Sequence, residues 1–270
     1  NYNLIKLQLK KLKYKIDLEK KKILNQTKKN KLRIYDISFE KNKLSKYIKD
    51  SLNKAHELAI KRKIKGFINC AIDKSNLPNQ NGVTEYLSSK NKNNFFKNML
   101  IYNEKISVVP LTTHIELKKV SNKLNKKFII KKIKDLEITY GKLFKKKAKI
   151  AILGLNPHNN EYKKNSEEVT KIIPAINKLK KKINIKGPFS ADSFFSKPNF
   201  NKYDIIVGMY HDQVLIPFKT IFNFNAINIT LGLNYIRISP DHGTGKDIIG
   251  KKIASSLSLI KSIKFFLKYC

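Results

Sequence analysis

The stretch from Tyr203 to Gln213, reading YDIIVGMYHDQ, constrains the fold more than any other. An apolar run from Asp204 to Met209 empties directly into Tyr210, His211, Asp212 and Gln213. Short apolar runs bounded by polar residues read as buried strands, and an open parallel sheet delivers polar side chains to a crevice at its carboxyl edge. A second run, Ala226 to Leu231, alternates with asparagines and stops at Gly232, and a third, Tyr235 to Ile238, carries Arg237 and stops at Pro240. The pattern predicts three strands that end near one another, with Lys219, Arg237 and His242 close by.

The rest of the chain repeats the theme. Arg33 to Ser38 is a short strand candidate. Leu44, Tyr47, Ile48, Leu52, Ala55, Leu58 and Ala59 then recur at helical spacing, and Gly66 to Ile72 follows as a strand. Such a strand, helix, strand unit implies a parallel pair. Ile106 to Pro110 is a strand that leads into His114, and residues 115 to 147 read as helices with solvated lysine faces. Ala148 to Leu153 is a strand that leads into the turn Gly154 to His158. Asn165, with Glu168 three residues on, predicts a capping box for the next helix, and Pro174 a kink in it. Gly187 to Phe195 is expected to be a loop and Lys246 to Leu267 a helical tail. This alternation makes the class α/β.

With 270 residues, 41% of them apolar, the chain can bury a large core. Its formal charge of +37 invites a nucleic-acid or membrane reading. Only Arg33, Arg62 and Arg237 among the 57 basic residues are arginines, however, and the lysines are scattered among Asn and Ile. Phosphate-binding surfaces make prominent use of arginine forks, so specific nucleic-acid binding is not expected. Cys70 and Cys270 give neither a disulfide framework nor a metal spacing, which fits a reducing compartment. No apolar run approaches the roughly 20 residues of a membrane span, so a cytoplasmic protein is expected.

Four of the five histidines, His114, His158, His211 and His242, follow strand-like runs, while His56 lies within a helix pattern. A lone loop histidine is usually exposed or locally bonded. Four at equivalent strand ends are harder to dismiss, because imidazole is the commonest protein ligand for zinc-like ions. Spacing alone leaves open whether they converge on a metal. No GxGxxG or P-loop pattern is present. Asp241 to Gly250 either sets backbone N–H groups against an anion or is a plain helix entry.

Taken together, TTH (Thr112 to His114), GLNPH (Gly154 to His158), GPxxAD (Gly187 to Asp192), MYHDQ (Met209 to Gln213), Lys219, NITLGLxxIR (Asn228 to Arg237) and DHGT (Asp241 to Thr244) resemble the 4-hydroxythreonine-4-phosphate dehydrogenase family of pyridoxal phosphate biosynthesis. The likeness is clear from about Gly66 to Gly250. It implies two α/β/α domains with a cleft between them, as in the isocitrate and isopropylmalate dehydrogenases, with residues 1–83 plus 232–270 in the first and 84–231 in the second. It also implies a homodimer, NAD or NADP, and a divalent metal (zinc, magnesium or cobalt) on His114, His158 and His211. Substrate contacts would fall on Thr84, Lys219, Asn228 and Arg237, and catalytic roles on Asp192 and Lys219. The cofactor would meet Asp241, His242, Gly243 and Thr244. Members oxidise the C3 hydroxyl of 4-phosphooxy-threonine and release carbon dioxide, giving 3-amino-2-oxopropyl phosphate.

Three departures stand out. The family's opening GDPAGIGPE-like loop has no counterpart, so the first domain is expected to be incomplete at its amino terminus. The family's GHTE reads Gly82, Val83, Thr84, Glu85, with valine in place of a substrate-binding histidine. The glycine-rich run after GLNPH is replaced by Asn159, Asn160, Glu161 and Tyr162.

Overall fold

A computed structural model describes residues 1–21, 31–77, 82–91, 93–196, 198–251 and 253–269. In chain order it begins with helix α1 (Tyr2–Leu12), strands β1 (Asp17–Lys20) and β2 (Lys31–Ile34), and helix α2 (Leu44–Ile60). Strand β3 (Gly66–Ile68), helix α3 (Val83–Lys90) and strands β4 (Asn98–Tyr102) and β5 (Ser107–Pro110) follow. Helices α4 (Val120–Lys123) and α5 (Lys126–Phe144) lead to strand β6 (Ile150–Leu153), helix α6 (Ile173–Leu179), strand β7 (Ile185–Phe189) and helix α7 (Ala191–Phe194). The last elements are strand β8 (Ile205–Gly208), helix α8 (His211–Phe222), strands β9 (Ile227–Leu231) and β10 (Ile236–Pro240), and helix α9 (Leu257–Tyr269).

Eight strands form one mixed sheet in the order β3-β10-β9-β4-β5-β8-β6-β7. The stretch β5-β8-β6-β7 is parallel, as the helical crossovers require. Strand β4 is antiparallel to both β5 and β9, β10 is antiparallel to β9 and parallel to β3, and the ladder is unbroken between the two expected domains. Fully buried strands β5, β6 and β8 carry aliphatic side chains on both faces. One face packs with α5, α6 and α9, whose buried residues include Ile129, Ile133, Ile176 and Phe265. The other packs against α7 and α8 through Phe194, Val214, Leu215 and Phe218. The Asn125 side chain accepts from Phe128 N at 2.9 Å and starts α5.

Several expectations are corrected. Strand β10 is antiparallel to β9, so β9 ends at the same edge of the sheet as β8 while β10 ends at the opposite edge. Strand β2 pairs with β1 in a separate two-stranded sheet, so the predicted strand, helix, strand unit is not a parallel pair. Glu168 closes no capping box: its carboxylate turns inward to the backbone at Leu155 and Asn156, and Ser166 Oγ accepts from Val169 N instead. Pro174 falls at the second residue of α6, directly after a π-helical turn from Glu168 to Ile172 that runs on into it. The loop expected at 187–195 holds the end of β7 and α7, and only the second half of the tail is α-helical. Among the described residues no helix is long and apolar enough to cross a membrane. Cys270 and residues 78–81 lie outside the described residues.

Candidate active site

A cleft of about 950 Å³ opens on the α8 side of the sheet. Its floor follows from strand alternation, because every second residue faces the same side. Met99 opposes Thr230 and Ile101 opposes Asn228 across β4 and β9, while Thr230 opposes Arg237 and Asn228 opposes Ser239 across β9 and β10. One wall is a face of α8, from His211 and Asp212 through Leu215 to Lys219. Val83 and Thr84, at the start of α3, form another wall, and Asp241 to Thr244 close one end.

Arg237 dominates the floor. Only 3% of it is exposed, and burial lowers its guanidinium pKa to about 10, opposed by Tyr235 and Glu85. Its Nε donates to Asn69 Oδ1 at 2.7 Å, and its Nη1 donates to Thr84 Oγ1 at 3.1 Å and Thr230 Oγ1 at 2.9 Å. All three acceptors are neutral. Lys219 faces the same space and pairs with Asp241 at 3.2 Å. Burial raises the Asp241 pKa, against the pull of Lys219. Asn228 Oδ1 and Asp241 Oδ2 are buried without a hydrogen-bond partner among the described residues. Buried acceptors of this kind await a donor.

At the other end the His114 and His211 rings stand 5.8 Å apart, centroid to centroid. His114 Nδ1 lies 3.4 Å from Glu85 Oε1 and His211 Nδ1 lies 2.6 Å from Asp212 Oδ1. A carboxylate on Nδ1 holds the proton there and leaves Nε2 as the lone pair for a ligand. The two imidazoles thus suit a divalent ion, but among the described residues no group of three His, Cys, Asp or Glu could hold one.

His158 and Asp192 do not line this cleft. Both are exposed, and α7, which carries Asp192, packs against the turn from Pro157 to Tyr162 that carries His158. Five consecutive non-glycine residues of that turn, His158 to Tyr162, have φ between 48° and 55°. Left-handed backbone costs roughly 1–2 kcal/mol per residue, less for asparagine. The buried Glu168 offsets this by accepting from Leu155 N at 2.8 Å and Asn156 N at 2.9 Å. Gly154 is required beside it, because a Cβ there would lie 2.0 Å from Asn159 Oδ1. Gln213 ties this turn to the His211 turn, donating from Nε2 to Gly154 O at 2.6 Å and accepting from Met209 N at 2.7 Å.

The profile of the family described as pyridoxal phosphate biosynthetic protein PdxA matches residues 2–266. The chain belongs to that family. It is 41% identical over 185 residues to the 4-hydroxythreonine-4-phosphate dehydrogenase of Aquifex aeolicus, a match that covers 68% of this chain and 57% of the Aquifex protein. A protein of Oceanobacillus iheyensis with the provisional name D-threonate 4-phosphate dehydrogenase is 35% identical over 219 residues, covering 78% of this chain and 66% of that one. A solved Salmonella typhimurium structure, provisionally assigned as a 4-hydroxythreonine-4-phosphate dehydrogenase, superposes with a TM-score of 0.86 at 27% identity, covering all of this chain and 88% of that one.

Of the PdxA motif residues singled out in the sequence, the cleft gathers Thr84, His114, His211, Lys219, Asn228, Arg237 and Asp241 to Thr244. His158 and Asp192 stand outside it. Asn69, Thr230, Glu85, Gln213 and Glu168 were missed as partners of those residues. Adjacency in a motif points to Glu85, Gln213 and Thr230, and to neither Asn69 nor Glu168. His56, read as ordinary, bonds Tyr235 Oη through Nδ1 at 2.8 Å, away from the cleft.

Proposed function

We propose that the chain is a metal- and NAD(P)-dependent dehydrogenase that oxidises 4-phosphooxy-L-threonine at C3, with decarboxylation to 3-amino-2-oxopropyl phosphate. The observation that carries the reading is Arg237, a buried guanidinium that donates to three neutral oxygens and faces the same cleft as Lys219. Such a pair suits a small substrate with a phosphate at one end and a carboxylate at the other. The orphan acceptors Asn228 Oδ1 and Asp241 Oδ2 suit its hydroxyl or ammonium donors.

In this reading Arg237 and Thr84 bind one anionic end and Lys219 the other, and Asn228 orients the substrate between them. Lys219 and Asp192 are the groups assigned to proton movement, and Asp241 to Thr244 receive the nucleotide. His114 and His211 would hold the divalent ion, which when bound supplies Lewis acidity toward the C3 oxygen. His158 would join them through a shift of its turn or across a homodimer contact. The second route is favoured because His158 and Asp192 share one exposed patch on adjoining elements. The division of the chain into residues 1–83 plus 232–270 and 84–231 belongs to the same proposal.

Val83 favours a second substrate, D-threonate 4-phosphate. It lines the cleft where the family motif has histidine, and a relative carries the corresponding name. The two substrates differ at C2, ammonium against hydroxyl. Measuring NADH formation with each, with added zinc, magnesium or cobalt, tests both readings. The expected result is metal-dependent turnover with a preference for phosphooxy-threonine. A preference for the threonate would install the second reading, and no turnover of either would sink both.

A further inference from the structure

We propose that Asn69 sets the anion specificity of the cleft, acting as the neutral acceptor that fixes the Arg237 guanidinium without placing a carboxylate against it. The inference rests on the reading of Arg237 as the anion-binding group. Cations elsewhere in the fold contrast with it: Lys219 is paired with Asp241, Lys131 with Asp135 and Lys246 with Asp73. Arg237, although more deeply buried than any of these lysines, contacts Asn69, Thr84 and Thr230 instead. Glu85 acts on it as a nearby charge and is within reach of His114.

Asn69 is built for this position. Its backbone N–H donates to Ile238 O at 3.0 Å and extends the ladder of β3 with β10, which fixes the residue beside Arg237. Its Nδ2 donates to Cys70 O at 3.1 Å, so the amide is oriented with Oδ1 toward Nε. A carboxylate there would pair with the guanidinium in water-poor surroundings and compete with any incoming anion. The amide supplies the same directional acceptor without the competing charge. Asn69 is therefore a positioning residue, acting on the ligand through Arg237.

The experiment is calorimetric titration of inorganic phosphate into the wild-type 270-residue chain and into the Asn69→Asp, Asn69→Ala and Arg237→Lys variants, with melting curves to verify folding. Asn69→Asp is expected to weaken phosphate binding roughly tenfold or more, and Asn69→Ala by a few-fold, as expected when a buried charge is compensated or left loose. With substrate, Asn69→Ala should raise KM by a larger factor than it lowers kcat, a split that a merely structural defect would not give. If Arg237→Lys loses phosphate while Asn69→Asp keeps it, the inference about Asn69 is overturned and the anion site stands. If both bind like wild type, or wild type binds no phosphate, the anion reading falls and the inference with it. Should Asn69→Asp fail to fold, wild-type affinity in Asn69→Ala overturns the inference just as directly.

Discussion

The floor of the cleft and its histidine-bearing end solve one problem, placing polar side chains around a small molecule, by opposite means. On the floor, Arg237, Asn228 and Thr230 project from paired strands, so ladder register fixes each to its neighbours. At the other end, His114 rides on a turn and His211 on the first residue of a helix, and their surroundings depend on side-chain ties such as Gln213. Strand placement yields a buried, pre-positioned charge; turn placement yields half-exposed imidazoles whose geometry a few bonds decide. The floor should therefore respond to substitution through affinity, and the histidine end through occupancy by the proposed ion.

The sharpest break of the contrast is Arg237→Lys, which keeps the charge and loses the fork. Substrate kcat/KM should fall by about 2–5 kcal/mol, mostly in KM, as expected for a truncated buried charge. Steady-state kinetics with an intact melting curve reads this, and wild-type KM would mean that the floor does not bind substrate. Next in size are the histidines. Alanine at His114 or His211 should lower ion content on the order of a hundredfold and abolish NADH formation, as when a ligand is removed from a divalent site. His242→Ala should keep the ion. Elemental analysis of His158→Ala decides whether the exposed turn completes the centre, since full occupancy there would exclude it.

Another buried cation, facing no part of the cleft, calibrates the cost of Arg237. Lys132 on α5 is 7% exposed, donates to Lys97 O at 3.2 Å and lies over the rings of Phe96 and Phe128. Burial lowers its pKa from 10.5 to about 8. Below pH 8 the folded and unfolded chains both carry the proton, and the fold bears the burial cost in full. Between pH 8 and the unfolded value of about 10.4 the folded chain loses its proton first, so stability rises with pH across that window. Lys132→Met should accordingly stabilise the fold at pH 7 by about 1–2 kcal/mol, the larger desolvation gain less the lost contacts, with the advantage shrinking toward pH 10. Denaturant melts at the two pH values measure it, and an equal advantage at both would refute the titration.

The smallest effect concerns specificity. Val83→His should tighten phosphooxy-threonine by about 1 kcal/mol, one new hydrogen bond to an anion. No change, or a loss, would mark a substrate fitted to valine and favour the threonate.

Much of this contrast was legible in the sequence, though unevenly. The run of β8 into His211, the Arg237 strand and the DHGT end were readable because each is a local pattern. Helix α8 was not: Pro217 within it mimics a breaker, yet at the seventh position its missing N–H is tolerated as the helix packs on the sheet. Strand β4 lacked alternation because it is buried on both faces. Strand order is non-local by nature, and with it Asn69 as a partner of Arg237 was out of reach. The separation of His158 and Asp192 from the cleft was equally hidden, because a motif records which residues a family keeps and not which surface of one chain they occupy.

The unbroken ladder from β3 through β10 and β9 to β4 also has a mechanical side. Strands bonded edge to edge resist shear in their own plane, because sliding one past the next must break its whole set of bonds together. The bottom of the cavity is therefore a stiff plate with Arg237 near its middle. Any breathing of the cavity must be taken up by α8, α3 and the connections around them, while the plate keeps its shape. An arriving anion meets a charge that is already at rest.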